Sequence, residues 1–518
     1  MMKSFSKLRI AIRAICLVLT TTVTGCAVGP DFKRPDAPKA IGYAPTGAIS
    51  EATTSAPVKQ GESQRFSMST DIPYDWWTLF GSPQINSLVE RAFKANPDIA
   101  SAQAALRQAQ QNVVAQQGFF YPTAGVSYSP SRNKLAGNMG GNSPGIQGNG
   151  NVIQTGSNPA GPIYNSAAYY NFHVAQLTVG YVPDVFGLNR RMVESAQTQV
   201  DAQKMQLEAT YITLASNVVA AAIQEASLRS QIAAMEKVVG FNRQILELLQ
   251  TQSRLGDVSG VDVAAQESLL ASMEQTLAPL LAQLEQTRDL IRALAGNSPD
   301  EDVGEKFELA SLHLPEELPL SLPSRTVEQR PDVRAAEEQL HFASAQAGVS
   351  IANRLPQFAL TAAIGGMADN PSWMFRSGGG FFDLTASVSQ TIFDGGTLRA
   401  RSRAAEQALI GAGAQYRSTV IAALQNVADT LYTIQSDANV LKAAASGAQA
   451  AQTTVELARK QYQLGAVNYQ VQLAAEQNDQ LAMINLTQAQ ASRLGVTVAL
   501  YQALGGGWWN RSDMPRSQ

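Results

Sequence analysis

The chain has 518 residues, 45% hydrophobic and 16% charged, with a net charge of −3. That apolar content suffices for a sizeable core, and charge is too sparse for a disordered polyelectrolyte. The 39 Lys and Arg do not outnumber the 42 Asp and Glu, so no nucleic-acid partner is expected. His173, His313 and His341 lie far apart, and the cysteines are Cys16 and Cys26 alone. No His/Cys cluster has metal-ligand spacing. No phosphate-cradling Gly loop and no working carboxylate pair is found. An enzyme, a bound metal and a catalytic residue are therefore not expected.

Residues 1–25 read as a targeting segment. Lys3, Lys7, Arg9 and Arg13 give a positive start, and AICLVLTTTV is an apolar run too short to span a bilayer as a helix. The run leads into VTGC, Val23 to Cys26. Small residues before a cysteine resemble a bacterial lipobox. That implies cleavage before Cys26 and a covalent lipid on it, with no other cofactor. Removing residues 1–25 takes Cys16 and four positive charges with it, leaving a net charge of −7 and one cysteine. An intrachain disulfide is then excluded. In that signal class an aspartate after the cysteine favours the inner membrane; Ala27 here favours the outer one. Residues 26–75 follow as a lipidated tether, Pro- and Gly-rich at its start.

The remainder is written twice. NPDIASAQAALRQAQQNVVAQQGFFYPTAGVSYS from Asn96 aligns with RPDVRAAEEQLHFASAQAGVSIANRLPQFALTAA from Arg330 at an offset of 234, matching Pro97 to Pro331 and Pro122 to Pro356. Farther on the offset is 209, where Leu255-Gly256 falls on Leu464-Gly465 and Gly296 on Gly505. The first copy carries 25 additional residues between about Ser129 and Ala168, rich in Gly, Asn, Ser and Pro, which read as a loop insertion. The expected organisation is a first repeat over 76–296, a linker over 297–324, a second repeat over 325–505 and a tail over 506–518.

Each repeat predicts the same elements in order. A helix opens at Pro97 or Pro331, where the missing N–H costs nothing. Two strands follow, then a very long helix, a Leu-Gly break and a second long helix. In the strands, Ala124, Val126 and Tyr128, then Phe358, Leu360, Ala362 and Ile364, then Phe382, Leu384, Ala386 and Val388, alternate with small or polar residues. YNFHVAQLTVGY from Tyr170 alternates less cleanly. A half-buried soluble sheet gives the same pattern, so alternation alone leaves both readings open. The extra loop of the first copy, near Asn133 to Asn165, is expected at the outer end of the strands.

The long helices carry apolar residues at alternating steps of three and four. The first seam is Tyr211, Leu214, Val218, Ala221, Leu228, Ile232, Met235, Val239, Leu246 and Leu249, interrupted by Glu225 and Asn242. The second is Val420, Leu424, Val427, Leu431, Ile434, Ala438, Leu441, Ala445, Ala448, Val455 and Tyr462. This spacing predicts coiled-coil pairing. A single helix from Leu188 to Arg254 would reach roughly 100 Å, more than a compact domain needs.

Four strands cannot close a barrel, and open edges are not tolerated in lipid. Two copies would give eight strands, whose interior fills with side chains, whereas three give twelve and leave a channel. If the strands sit in membrane, the fold class is an α+β membrane protein. Closure then argues for at least a trimer, whose four strands per chain would make a 12-stranded β-barrel. The small polar face would line water and the apolar face would meet lipid.

The lipobox with CAVGPDFKRP, WWTLFGSPQINSLVERAFKANPDIASAQAAL from Trp76, PDVFGLNRR from Pro183, RPDVRAAEEQL from Arg330, TIFDGGTLRAR from Thr391 and the two Leu-Gly tips span Cys26 to about Gly506. In this order the chain resembles the TolC-like outer-membrane efflux protein family, in the lipoprotein branch of OprM, CusC and NodT type. The resemblance implies a homotrimeric, passive exit duct in the outer membrane of a Gram-negative bacterium, its 12-stranded β-barrel continuous with an α-helical coiled-coil barrel in the periplasm. Segment 297–324, with the N- and C-terminal stretches, would form a belt around the helices. It implies two protein partners, a periplasmic adaptor and an inner-membrane pump of the resistance-nodulation-division (RND) type, with drugs or toxic compounds as cargo. A type I secretion duct and a coiled-coil lipoprotein scaffold are the alternatives.

The resemblance also places sites. Leu255, Gly256, Leu464 and Gly465, at the hairpin tips, would contact the adaptor. Past the second tip, OprM-like members carry a leucine, an acid four residues on and an arginine three beyond. The matching positions here are Gln470, Ala474 and Gln477, none charged. Glu476 and Asp479 lie off those positions, while Asp257 and Asp262 at the first tip could substitute in part. A constriction here is expected to be polar and neutral.

Overall fold

The computed structural model describes residues 27–36, 42–45, 49–67, 70–134 and 169–511. Cys26, the segment before it and most of the extra loop of the first copy lie outside these residues. The strands are β1 (Arg65–Ser67), β2 (Thr123–Lys134), β3 (Tyr169–Tyr181), β4 (Glu317–Pro319), β5 (Gln357–Ala368) and β6 (Gly380–Ser389). The helices are α1 (Pro83–Ala95), α2 (Pro97–Gln117), α3 (Leu188–Leu255), α4 (Gly260–Leu294), α5 (Pro323–Gln329), α6 (Pro331–Ala352), α7 (Thr397–Gln463) and α8 (Tyr469–Ala503). Helix α3 has 68 residues and α7 has 67. No helix among the described residues is long and apolar enough to cross a membrane.

The chain divides into two compact units. One gathers Ala109–Thr198 and His341–Gly411 with the described residues up to Lys33. Its centre is an antiparallel sheet in the order β2-β3-β5-β6. Pairing sets Val126 opposite Leu177, Leu177 opposite Ile364, and Ile364 opposite Phe382. Since side chains alternate along a strand, that row and those two residues away share one face. That face carries Ala124, Val179, Ala362 and Leu384 in one neighbouring row. The other face carries Ser127, Gln176, Thr178, Thr361, Thr385 and Ser387. The weak alternation of β3 is thus resolved by its partners' register.

In the same unit the residues just after Cys26 are pinned down. The Val28 amide donates to Phe186 O at 3.1 Å, and Arg191 donates to Val28 O, Gly29 O and Asp31 Oδ1. Phe32 stacks on His341 at 4.2 Å. Carboxylates cap both long helices. Asp184 accepts from the amides of Asn189 and Arg190, and Asp394 from those of Gly396 and Leu398. The Leu398 amide bond, foremost, holds the Asp394 carboxyl below the usual carboxylate range.

The second unit holds Arg34–Gln108, Gln199–Leu340 and Ala412–Gln518. Its core joins Trp76, Phe80, Ile85 and Leu88 to Val218 and Ile223 of α3, Val427 and Leu431 of α7, and Leu494 and Tyr501 of α8. Trp76 and Trp77 are both buried, and Trp76 stacks on Tyr501 at 5.2 Å. Strands β1 and β4 pair in parallel, tying an N-terminal segment to the 297–324 stretch.

Within this unit α8 lies between α3 and α7. Ala234, Met235 and Val238 of α3 cluster with Ile484 of α8 and with Met273 and Leu277 of α4. Leu441, Ala445 and Ala448 of α7 cluster with Leu486 and Ala489 of α8. Helix α3 is therefore buried on two sides, and Val219, Ala222, Ile223 and Ala226 are inside as well as the heptad seam. The seam understated that face because one stripe serves only one neighbour. Tyr462 departs from its seam. It is 43% exposed and stands beside Tyr469, the first residue of α8.

Glu225 and Asn242, the polar interruptions, are fully inside. Glu225 accepts from Arg229 Nε and from the Phe307 amide. The Gln266 amide group of α4 donates to Asn242 Oδ1 at 3.0 Å and to Asn242 O at 3.2 Å. In the second repeat the equivalent positions, at the same offset of 209, are Ala451 and Ala475, both buried.

Arg493 of α8 has the most polar surroundings in this core. Its side chain is wholly buried and donates to Gln60 O, Glu62 O, Thr53 Oγ1 and Gln64 Oε1. Burial, the largest influence, lowers its pKa, against the nearby charges of Glu62 and Asp437. The equivalent residue of the first repeat is Leu284.

Candidate functional site

Both hairpin tips have the same backbone solution. At the first, the Gly256 amide donates to Ser253 O and the Asp257 amide to Gln252 O. At the second, Gly465 donates to Tyr462 O and Ala466 to Gln461 O. This pair of bonds is a Schellman ending, which needs a left-handed residue. Gly256 has φ +84° and Gly465 has φ +73°, with nothing within 4 Å of where a Cβ would stand. The glycines are there for their backbone, not for a close neighbour.

Each next helix starts on a side-chain cap. Ser259 Oγ accepts from the Asp262 amide and Asn468 Oδ1 from the Val471 amide. The Asp262 carboxylate reaches back to the Ser259 amide at 3.0 Å, closing a capping box. Its charge is tied to the start of α4. Asp257 is exposed.

Leu255 is 74% exposed and Leu464 is 84% exposed, so each tip presents a bare apolar side chain. Replacing Gly465 with valine should strain the turn by about 1–2 kcal/mol. Hydrogen exchange at the Ala466 amide, which that turn holds on Gln461, should accelerate about tenfold or more. Unchanged exchange would show that the turn does not depend on glycine.

Past the second tip, Gln470 and Gln477 are half-buried and Ala474 is exposed. Among the described residues Gln470 makes no side-chain hydrogen bond. Its neighbour Tyr469 donates to Gln244 Oε1 of α3 at 3.4 Å, a neutral link between the two hairpins that the sequence did not reveal. Glu476 is taken up within its own hairpin, accepting from Arg459 at 3.0 Å and from Gln472 at 3.1 Å. Asp479 accepts from Gln480. Among the described residues no group of three or more His, Cys, Asp or Glu could hold a metal.

The sheet supplies the other functional surface. Val126 is 83% exposed, and Ile364, Phe382 and Leu384 are similarly bare. Among the described residues, the edge strands β2 and β6 each have one strand partner. A row of bare aliphatic and aromatic side chains on a paired sheet is a surface made to be covered.

Comparison with known proteins identifies the family. The family model described as outer membrane efflux protein matches residues 88–297 and 322–506. The pyoverdine export outer membrane protein OpmQ of Pseudomonas putida is 27% identical over 445 residues, 85% of this chain and 89% of that protein. The probable efflux pump outer membrane protein TtgC of Pseudomonas putida is 25% identical over 494 residues, 95% of each chain. Among solved structures, the Campylobacter jejuni CmeC outer membrane channel superposes with a TM-score of 0.78 at 21% identity, covering 94% of this chain and 96% of that one. The chain belongs to the outer membrane efflux protein family.

Proposed function

We propose that this outer-membrane efflux protein is the passive exit duct of a tripartite system, built as a homotrimer and not an enzyme. The bare apolar face of the sheet carries the reading, because it asks for lipid while the opposite face is polar. Four antiparallel strands per chain let β6 of one copy pair antiparallel with β2 of the next. Three copies then close twelve strands around a water-filled lumen. The helical edges fit the same scheme. Helix α4 buries only Gln266 and Ile291, and α7 leaves Ile410, Ile421, Val440 and Leu457 more than half exposed. Different edges meeting head to tail generate a ring.

In this reading Cys26 carries the lipid. The tips at Leu255-Gly256 and Leu464-Gly465 receive a periplasmic adaptor, and an RND-type pump delivers drugs or other toxic compounds. The named relatives serve pyoverdine export and efflux pumps, consistent with cargo chosen upstream of the duct.

The gate at Gln470, Ala474 and Gln477 is neutral and held by the Tyr469–Gln244 link. Purified protein in planar bilayers should conduct, and millimolar Mg²⁺ or Ca²⁺ on the periplasmic side should leave the current unchanged. Divalent block would reveal an acidic ring with Asp257 as its source. Absence of any conductance from inserted protein would end the duct reading.

A further inference from the structure

We propose that the outer end of the sheet binds the phosphate groups of a phosphorylated glycolipid in the outer leaflet, through Arg132, Lys134 and Arg376. This rests on the barrel reading and adds a ligand to it. On the apolar face the band runs from Phe358, opposite Val388, to Ala368, opposite His173. Those ten residue steps span about 34 Å along the strand, or about 25 Å across a bilayer at barrel tilt, the height of an apolar band.

The far end of that band is marked by aromatic residues. Tyr128 hydrogen-bonds His173 Nδ1 at 2.9 Å and stacks on its ring. In the row of Tyr128, a Cβ on Gly366 would meet Met374 O and Phe375 Cδ1, so the β5–β6 connection folds over this same face. Phe375 is 76% exposed and Trp373 also stands in the open. Amphipathic rings at this level mark the lipid–water boundary.

Arg132 and Lys134 follow two and four residues beyond Pro130, the residue paired with His173. Both share the apolar face by alternation and both are exposed. Arg376 lies on the β5–β6 connection, also exposed. The one acid at this end is Asp369, and residues 135–168 of the other connection contain no Asp, Glu, Lys, Arg or His. Three cations against one carboxylate thus stand just past the apolar band, at the height of lipid phosphates. Exposed cations at this height attract lipid phosphates by charge.

The full-length protein would be reconstituted in phosphatidylcholine vesicles and probed with bisphosphorylated lipid A, dephosphorylated lipid A and inorganic phosphate. Wild-type protein should retain bisphosphorylated lipid A about tenfold or more over the dephosphorylated form. The R132Q/K134Q/R376Q protein should lose that preference, and R132K/R376K should keep most of it. Ten millimolar inorganic phosphate, roughly the level that would matter for a weak free-anion site, should not displace the lipid. Equal retention of both lipids by the wild type, or an unchanged preference in the triple variant, overturns the proposal. Displacement by inorganic phosphate overturns it in favour of a free-anion site. Heat-modifiable gel migration, recorded on the same samples, separates these outcomes from failure of the barrel itself.

Discussion

Ile364→Arg is expected to remove the protein from the outer membrane. Ile364 lies in the row Val126–Leu177–Ile364–Phe382, near the middle of the apolar band, and is 61% exposed. An arginine on the lipid face at mid-bilayer costs about 2–4 kcal/mol, and a three-copy barrel would carry three of them. The expected result is loss of the heat-modifiable form and of outer-membrane recovery. Ala363→Arg, one residue along and on the opposite face, is the control. It should insert and lower conductance by placing charge in the lumen. Normal insertion of Ile364→Arg would mean that this face does not meet lipid.

Arg493→Met is expected to free the N-terminal segment from the helical core. The guanidinium gathers Gln60 O, Glu62 O, Thr53 Oγ1 and Gln64 Oε1, acceptors that no other side chain replaces at that point. Methionine fills similar volume but leaves Gln60 O and Gln64 Oε1 without the donor, at about 1–3 kcal/mol each, offset where relaxation admits water. Limited proteolysis should then cut between Thr53 and Gln64, and the thermal midpoint in detergent should fall. Arg493→Lys should recover little, since an ammonium cannot span the same fork of acceptors. A protease-resistant methionine variant would show that β1–β4 pairing holds the segment without the arginine.

Much of this was legible in the sequence, for identifiable reasons. The turns at Gly256 and Gly465 depend on one residue's backbone freedom, which sequence states directly. The strand faces follow from a period of two, and the repeat supplied each element with a second reading. Arg493 was not legible, because its acceptors lie about 430 residues away in the chain and two of the four are backbone oxygens, with no residue signature. Asn242 was visible as a flaw in a seam but not as a link, since Gln266 lies across a hairpin. Tyr462 kept the spacing of buried residues into the last turn of α7, where its ring meets Tyr469 and stays 43% exposed. Asp262 was read for its charge alone, although Ser259 three residues earlier already marked a capping box.

The two tips share their turn but not their charge. Asp257 and Asp262 of the first correspond, 209 residues on, to Ala466 and Val471 of the second. A ring of three chains would therefore have six tips of one backbone shape arranged with near sixfold symmetry, while their charge repeats only threefold. An adaptor sensitive to backbone shape alone could seat six copies. One that reads the carboxylates would find three strong seats alternating with three weak ones, so occupancy would fill in two steps as adaptor concentration rises.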